Sequence, residues 1–217
     1  VGYEAGDHAT GSYNTFVGSL AGKGGITSAP YSTGQNNTAV GYEALAGFTT
    51  GGTNVAVGYR ALKVATTGES NVAVGYQSLD ALTTGTNNVA IGNRALTAAD
   101  GDENYNVAIG SNSMDAVNHD SADHNVAIGY YTLNSTTTAG TIAIGREALK
   151  ASTSGFGNVA IGFNAMKVHT TGGYNIAIGY AAMDDTDAGS TSLGSIDNIF
   201  MGYDAGGGTW ADAASSY

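Results

Sequence analysis

The stretch Asn54-Val55-Ala56-Val57-Gly58-Tyr59-Arg60-Ala61-Leu62 returns 17 residues later as Asn71-Val72-Ala73-Val74-Gly75-Tyr76-Gln77-Ser78-Leu79. Its core, Asn-x-Ala-(Val/Ile)-Gly, recurs along nearly the whole chain, for example at Asn106 to Gly110 and Asn158 to Gly162. With the glycine as position 0, the anchors are Gly2, Gly18, Gly41, Gly58, Gly75, Gly92, Gly110, Gly129, Gly145, Gly162, Gly179 and Gly202. Their spacing runs from 16 to 23 residues and is most often 17. Position −4 is Asn in ten of eleven cases, with Thr141 the exception; position −1 is Val, Ile or Met throughout. Position −2 is Ala in nine repeats and Phe in two, Phe16 and Phe200, position +1 is often Tyr, and +3/+4 usually read Ala-Leu or Ala-Met.

A repeat of this length cannot bury a core alone, so its copies must stack. Short β-branched runs bounded by Thr, Gly and Asn are strand signals. The expected fold is therefore all-β: a parallel β-solenoid of about twelve coils of ~17 residues, a single array covering 1–217. Asn at −4 can form an amide ladder between coils or bond its own turn in a left-handed conformation. The anchor glycine needs either positive φ or close approach of another backbone. Thr-Thr-Gly segments such as 66–68 and 83–85 are turns on the exposed side, where insertions also fall. Asn54, Gly58, Asn71, Gly75, Asn106, Gly110, Asn158 and Gly162 are the clearest structural repeat positions.

The composition agrees with a repetitive, ordered chain. Of 217 residues 34 are Gly and only one is Pro (Pro30), without the Gly-X-Y spacing of collagen. Apolar residues make up 42 %, too many for low-complexity disorder. No Cys is present, so disulfides and thiolate zinc sites are excluded. No apolar run is long enough for a membrane span. The net charge is −11, and the seven cations read as scattered, which argues against nucleic-acid binding.

Along each strand −3 and −1 share one face and −2 the other. Position −3 is mostly Val or Ile, so both faces are apolar, and such strands are buried on both sides. A second chain is expected against one face; the alternative is a flattened coil covering that face with its own Ala-Leu segment. The two repeats with Phe at −2 also have Gly at +4, Gly22 and Gly206. Ala plus Leu is exchanged for Phe plus Gly at nearly constant volume, which predicts that −2 and +4 touch. The chain begins mid-motif at Val1-Gly2-Tyr3, and Ser216-Tyr217 mimics Ser12-Tyr13, so a further repeat is expected to follow.

The Asn-Val-Ala-Ile-Gly phrase at 106–110, 125–129 and 158–162 resembles the signature of the YadA-like head of trimeric autotransporter adhesins. The longer form at 37–45, 54–62 and 71–79 resembles repeats of phage tail fibres and related surface fibres. The likeness covers essentially 1–206. It implies a left-handed parallel β-roll, a homotrimer about one axis, and an extracellular place on a cell surface or a virion. There it would act as a structural fibre segment, an adhesin head or stalk or a tail fibre, presenting loops to a cell-surface glycan or protein receptor. The adhesin head repeat is shorter than this one, and the additional Tyr-x-Ala-Leu element and Thr-Thr-Gly turn favour the fibre type.

Chemistry-bearing constellations are sparse. His119, Asp120, Asp123 and His124 have metal-ligand types but fall in a loop insertion. Asp100, Asp102 and Glu103 are weak calcium candidates, and Asp184, Asp185 and Asp187 form another acidic knot. Gly18 to Lys23 resembles a phosphate loop one residue short. No nucleophile elbow and no Cys nucleophile occur, and the acids are out of step with the repeat, so no enzyme, no cofactor and no metal are expected. The alternatives to a fibre are another kind of surface recognition, of ice through the recurring Thr or of calcium and glycans, and least of all a glycan-cleaving β-helix enzyme. Tyr at +1 reads as a core or interface stack in preference to an exposed sugar platform.

Overall fold

The computed structural model describes residues 1–25, 31–136, 138–184 and 195–207. Pro30, Asp185, Asp187, Ser216 and Tyr217 lie outside these residues. Eleven three-residue strands run in chain order: β1 Thr15–Val17, β2 Thr38–Val40, β3 Val55–Val57, β4 Val72–Val74, β5 Val89–Ile91, β6 Val107–Ile109, β7 Val126–Ile128, β8 Ile142–Ile144, β9 Val159–Ile161, β10 Ile176–Ile178 and β11 Ile199–Met201. They form one parallel sheet in which each strand pairs with the next in sequence. Register is strict: Ala56 pairs with Ala73, and Ala73 with Ala90. This is a parallel β-solenoid with coils of about 17 residues. The coil of Gly2 has no described strand, so eleven strands serve the twelve anchors. That coil still joins the stack, because Gly18 N–H donates to the Val1 carbonyl at 2.8 Å.

The period places each repeat position at one place in the cross-section. Every Ala at −2, from Ala39 to Ala177, is fully buried. The Leu or Met at +4, from Leu45 to Met183, is equally buried and lies in the same core. The core is thus a narrow apolar column filled jointly by −2 and +4, too tight for two large residues in one coil. An alanine Cβ placed on Gly22 would lie 2.1 Å from the Phe16 ring, and one on Gly206 would lie 2.6 Å from that of Phe200. The expected contact between −2 and +4 is therefore present within the coil.

Both requirements on the anchor glycine operate together. Its φ lies between 127° and 151° along the whole array. A Cβ there would approach the carbonyl oxygen of the next anchor to 2.2 Å at Gly58 and Gly75. No side chain fits.

The buried asparagines combine the two roles that the sequence leaves open, but in a different form. Asn54 Oδ1 accepts the N–H of Asn71 at 2.9 Å, and Asn71 Oδ1 accepts that of Asn88 at 2.9 Å. Each Nδ2 donates across the coil step to a turn carbonyl, as Asn54 to Gly68 and Asn71 to Gly85, both at 2.8 Å. The ladder thus ties amide to backbone as much as amide to amide. The left-handed residue is the one before the Asn, for example Thr53 and Ser70, at φ 57° and 58°. Thr141 interrupts the ladder: among the described residues it accepts no further rung, and its buried Oγ1 has no hydrogen-bond partner.

The outer strand face is apolar and uncovered. Val or Ile at −3 and −1 is half-buried along the middle of the rod, and Ile91 and Ile142 are exposed. The Ala-Leu segment packs on the inner face with Ala at −2, so among the described residues nothing from the chain itself covers the outer one. The flattened, self-covering coil is therefore not what forms.

Candidate functional surface

Going round the coil from the outer strand face, the first edge is the turn from +1 to +5. Here the residues at +2 and at +4 both have positive φ, Arg60 at 54° and Leu62 at 50°, Gln77 at 52° and Leu79 at 50°. A leucine in this region costs roughly 1–2 kcal/mol, while burying its side chain contributes about as much or more in the opposite direction. The alternation points +4 inward and +2 outward.

All seven cations of the chain fall in this turn: Lys23, Arg60, Lys63, Arg94, Arg146, Lys150 and Lys167. The cations read as scattered along the sequence are therefore gathered on one edge, because the 17-residue period superimposes them. Each has a carboxylate within 4.0 Å, often from a neighbouring coil: Lys63 on Glu43 at 2.8 Å, Arg60 on Asp80 at 3.2 Å, Arg94 on Asp115 at 3.3 Å, Lys167 on Glu147 at 2.8 Å. The hydrogen bonds from Lys63 and Lys167 hold the carboxyls of Glu43 and Glu147 below their usual range. Asp80 goes the other way, since its burial outweighs the nearby Arg60. Eight of the eighteen acids share this turn with the seven cations, so it is almost neutral. The other ten acids stand elsewhere in the chain with no cation among them, and they account for nearly all of the −11.

At the start of this edge, residue +1 forms an aromatic column. Tyr42 stacks on Tyr59 at 5.5 Å and Tyr59 on Tyr76 at 5.1 Å, with interplanar angles of 13° and 8°. Phe163, Tyr180 and Tyr203 repeat the arrangement at 5.1 Å per step. Between the two runs Arg146 lies 5.8 Å from the ring centre of Tyr130 and 5.4 Å from that of Phe163. These tyrosines are exposed, 42 % at Tyr59 and 47 % at Tyr76, so within one chain they are not core residues. They stack on one another with their edges to solvent, a coil-to-coil stack that the sequence reading did not include.

The opposite edge carries the Thr-Gly turns. Thr49 Oγ1 donates to the Thr66 carbonyl at 2.8 Å, Thr66 Oγ1 to Thr83 at 3.1 Å, and Thr83 Oγ1 to Asp100 at 2.8 Å. The first hydroxyl of each pair is thus bonded along the rod, from coil to coil.

The weak calcium candidates do not converge. Glu103 is fully buried and spends its carboxylate on backbone N–H groups, that of Gly101 at 3.1 Å and that of His119 at 3.1 Å. Burial raises its pKa above the ordinary carboxyl value. Asp100 and Asp102 are exposed beside it. In the neighbouring insertion Asp123 accepts the Asn104 N–H at 2.6 Å, and His124 stacks on Tyr105 at 4.8 Å. Among the described residues no group of three or more His, Asp or Glu stands close enough to hold a metal ion. Of the three candidates, only Glu103 has its carboxylate engaged by backbone amides. The third acidic knot is described only at Asp184.

Two shallow grooves lie along the edges. One, of about 260 Å³, is lined by polar residues including Gln35, Asn36 and Glu69; the other, of about 380 Å³, by Ala46, Gly47, Val64 and the ion-paired Lys23 and Lys63. Neither brings together a nucleophile, a base and an oxyanion donor. Among the described residues no helix is long and apolar enough to cross a membrane. The chain matches no protein-family model, no curated protein and no solved structure.

Proposed function

We propose that this chain is a structural segment of a homotrimeric extracellular fibre, of the tail-fibre or adhesin-head kind, that presents its edges and loops for attachment to a host surface. The observation that carries this reading is the outer strand face. Eleven strands in register make a rod whose sheet spans roughly 50 Å, and along it runs a strip of Val and Ile at −3 and −1. A contiguous apolar strip on this scale marks an interaction surface, and a flat, repeating strip suits copies of the same rod aligned in parallel. The left-handed roll and the three-fold axis come from the resemblance to adhesin heads and fibre repeats. In this arrangement the strips face the common axis, while the ion-paired turns and the acidic Thr-Gly edge face outward.

Sedimentation equilibrium tests the reading. A trimer mass, with rods of three-fold symmetry in electron micrographs, supports it; a monomer across the accessible concentration range overturns it.

A further inference from the structure

Along most of the turn edge each cation has an acid of its own. Lys23 meets Glu4, Arg60 and Lys63 share Glu43 and Asp80, and Arg94 meets Asp115. Farther along the rod the balance fails: Arg146, Lys150 and Lys167 converge on the one carboxylate of Glu147, at 3.2, 3.8 and 2.8 Å. Even with Asp184, the next acid along the edge, three cations stand against two carboxylates. We propose that Arg146, Lys150 and Lys167 form a subsite for one anionic group, carried by an acidic saccharide.

Three observations lead there. The cations are open to solvent while their counter-charge is not: the side chains of Arg146, Lys150 and Lys167 are 56, 41 and 36 % exposed, that of Glu147 only 10 %. An arriving anion therefore meets the cations first. Next, donors remain. Lys150 Nζ stands too far from Glu147 for a hydrogen bond, and Arg146 gives that carboxylate Nη2 alone, at 3.2 Å. Among the described residues their other N–H groups have no acceptor, and a guanidinium beside an ammonium suits a carboxylate, phosphate or sulfate. Last, the patch has the size of a single charge. All three heads lie within 4.0 Å of one carboxylate, and the nearest other cation in the sequence, Arg94, is three coils or roughly 14 Å away. A nucleic acid or an anionic membrane needs a broad basic surface, which a chain of net charge −11 does not offer. Aromatic rings frame the cations instead. Arg146 lies 5.8 and 5.4 Å from the ring centres of Tyr130 and Phe163, and Lys150 lies 5.2 Å from that of Tyr131. A few placed charges among aromatic groups suit a sugar ring that bears one acidic substituent.

The subsite deepens the attachment reading and rests on it. Saturation-transfer NMR of the intact chain at low salt tests it, with methyl glucuronide, the 6-phosphate and 6-sulfate of methyl glucoside, and neutral methyl glucoside. At least one acidic probe should bind with millimolar affinity and the neutral one should not; the preference among the three identifies the anion. Arg146→Gln with Lys150→Gln should weaken that binding about tenfold. Glu147→Gln removes the counter-charge and should strengthen it about threefold, a gain that loss of fold cannot produce. Lys63→Gln alters charge at a balanced place on the same edge and should leave binding unchanged. No transfer to any acidic probe, equal transfer to the neutral one, no gain in Glu147→Gln, or a comparable loss in Lys63→Gln overturns the proposal. So does preferential transfer to a tetraglutamate peptide, which would assign the patch to an acidic protein segment. Sedimentation of the same samples separates the two readings: a trimer that binds no acidic probe removes the subsite alone, and a monomer that binds one removes the fibre assembly alone.

Discussion

The ring of Phe16 lies over Gly22, filling the space that a leucine or methionine at +4 fills in most other coils. It also reaches the preceding coil, where a Cβ on Gly6 would lie 2.9 Å from the ring, and it meets Phe48 of the following coil at 5.7 Å between ring centres. The core thus has a constant volume per coil that can be supplied from either side.

This relation predicts strong coupling between the two positions. Phe16→Ala alone should destabilise by about 3–5 kcal/mol, since it opens a cavity. Gly22→Leu alone should also destabilise, because its Cβ would sit 2.1 Å from the ring. The double variant restores the Ala–Leu pair of the other coils and should lose less than the sum by about 1–3 kcal/mol. Urea unfolding of the four proteins completes the cycle, and additivity would refute the shared-volume account.

The asparagine ladder should be costly to cut and cheap to mend. Asn71 accepts from Asn88 N–H at 2.9 Å and donates to the Gly85 carbonyl at 2.8 Å, all out of solvent. Asn71→Ala leaves both groups unsatisfied and should lower stability by about 2–4 kcal/mol. Thr141→Asn supplies the missing rung and should raise it by about 1 kcal/mol. Amide hydrogen exchange on either side of residue 141 would show the change locally as well as globally.

His169 should make stability fall in acid. It is fully buried, and burial holds its pKa below the ordinary 6.5, although its Nε2 contact with the Gly172 carbonyl at 2.9 Å acts the other way. The folded state therefore favours neutral imidazole. Its contribution is complete above the unfolded pKa of 6.5 and is lost as pH falls through the lower folded value. The buried Glu103 has a raised pKa, so its contribution has the opposite sign and is lost as pH rises through the carboxyl range. Comparing melting temperature against pH for the parent and for His169→Leu isolates the histidine. The variant should be flatter below about pH 6.5, and identical slopes would show that His169 does not titrate with folding.

Charge on the outer strand face should dissolve the assembly without unfolding the coil. Val57 and Val74 are adjacent on that strip, paired in register on β3 and β4. Val57→Lys with Val74→Lys places two cations where the proposed interface is apolar, which costs several kcal/mol when desolvated. The expected product is a folded monomer, with circular dichroism unchanged and the mass reduced to one chain. An unchanged trimer mass would move the interface to another face.

The sequence by itself determined the period, the parallel stacking in register, the burial of Ala at −2 with Leu at +4, and the Phe–Gly exchange. These follow from spacing, because a residue type that recurs at every turn must meet its own copies. Gly58 could be read as needing positive φ or close approach, and both hold for the same reason, that the next anchor's carbonyl lies directly against it. Other features required three dimensions. The left-handed backbone of Leu62 is invisible in a residue that normally avoids it, since packing of its buried side chain against the coil outweighs the local preference. The fate of Glu103 was decided by two backbone amides, Gly101 and His119, brought to it by loop geometry that no spacing rule encodes. The gathering of seven cations on one edge becomes visible only when coils of unequal length are laid in register. Insertions shift the count along the chain, but the hydrogen-bonded strands reset it at every coil.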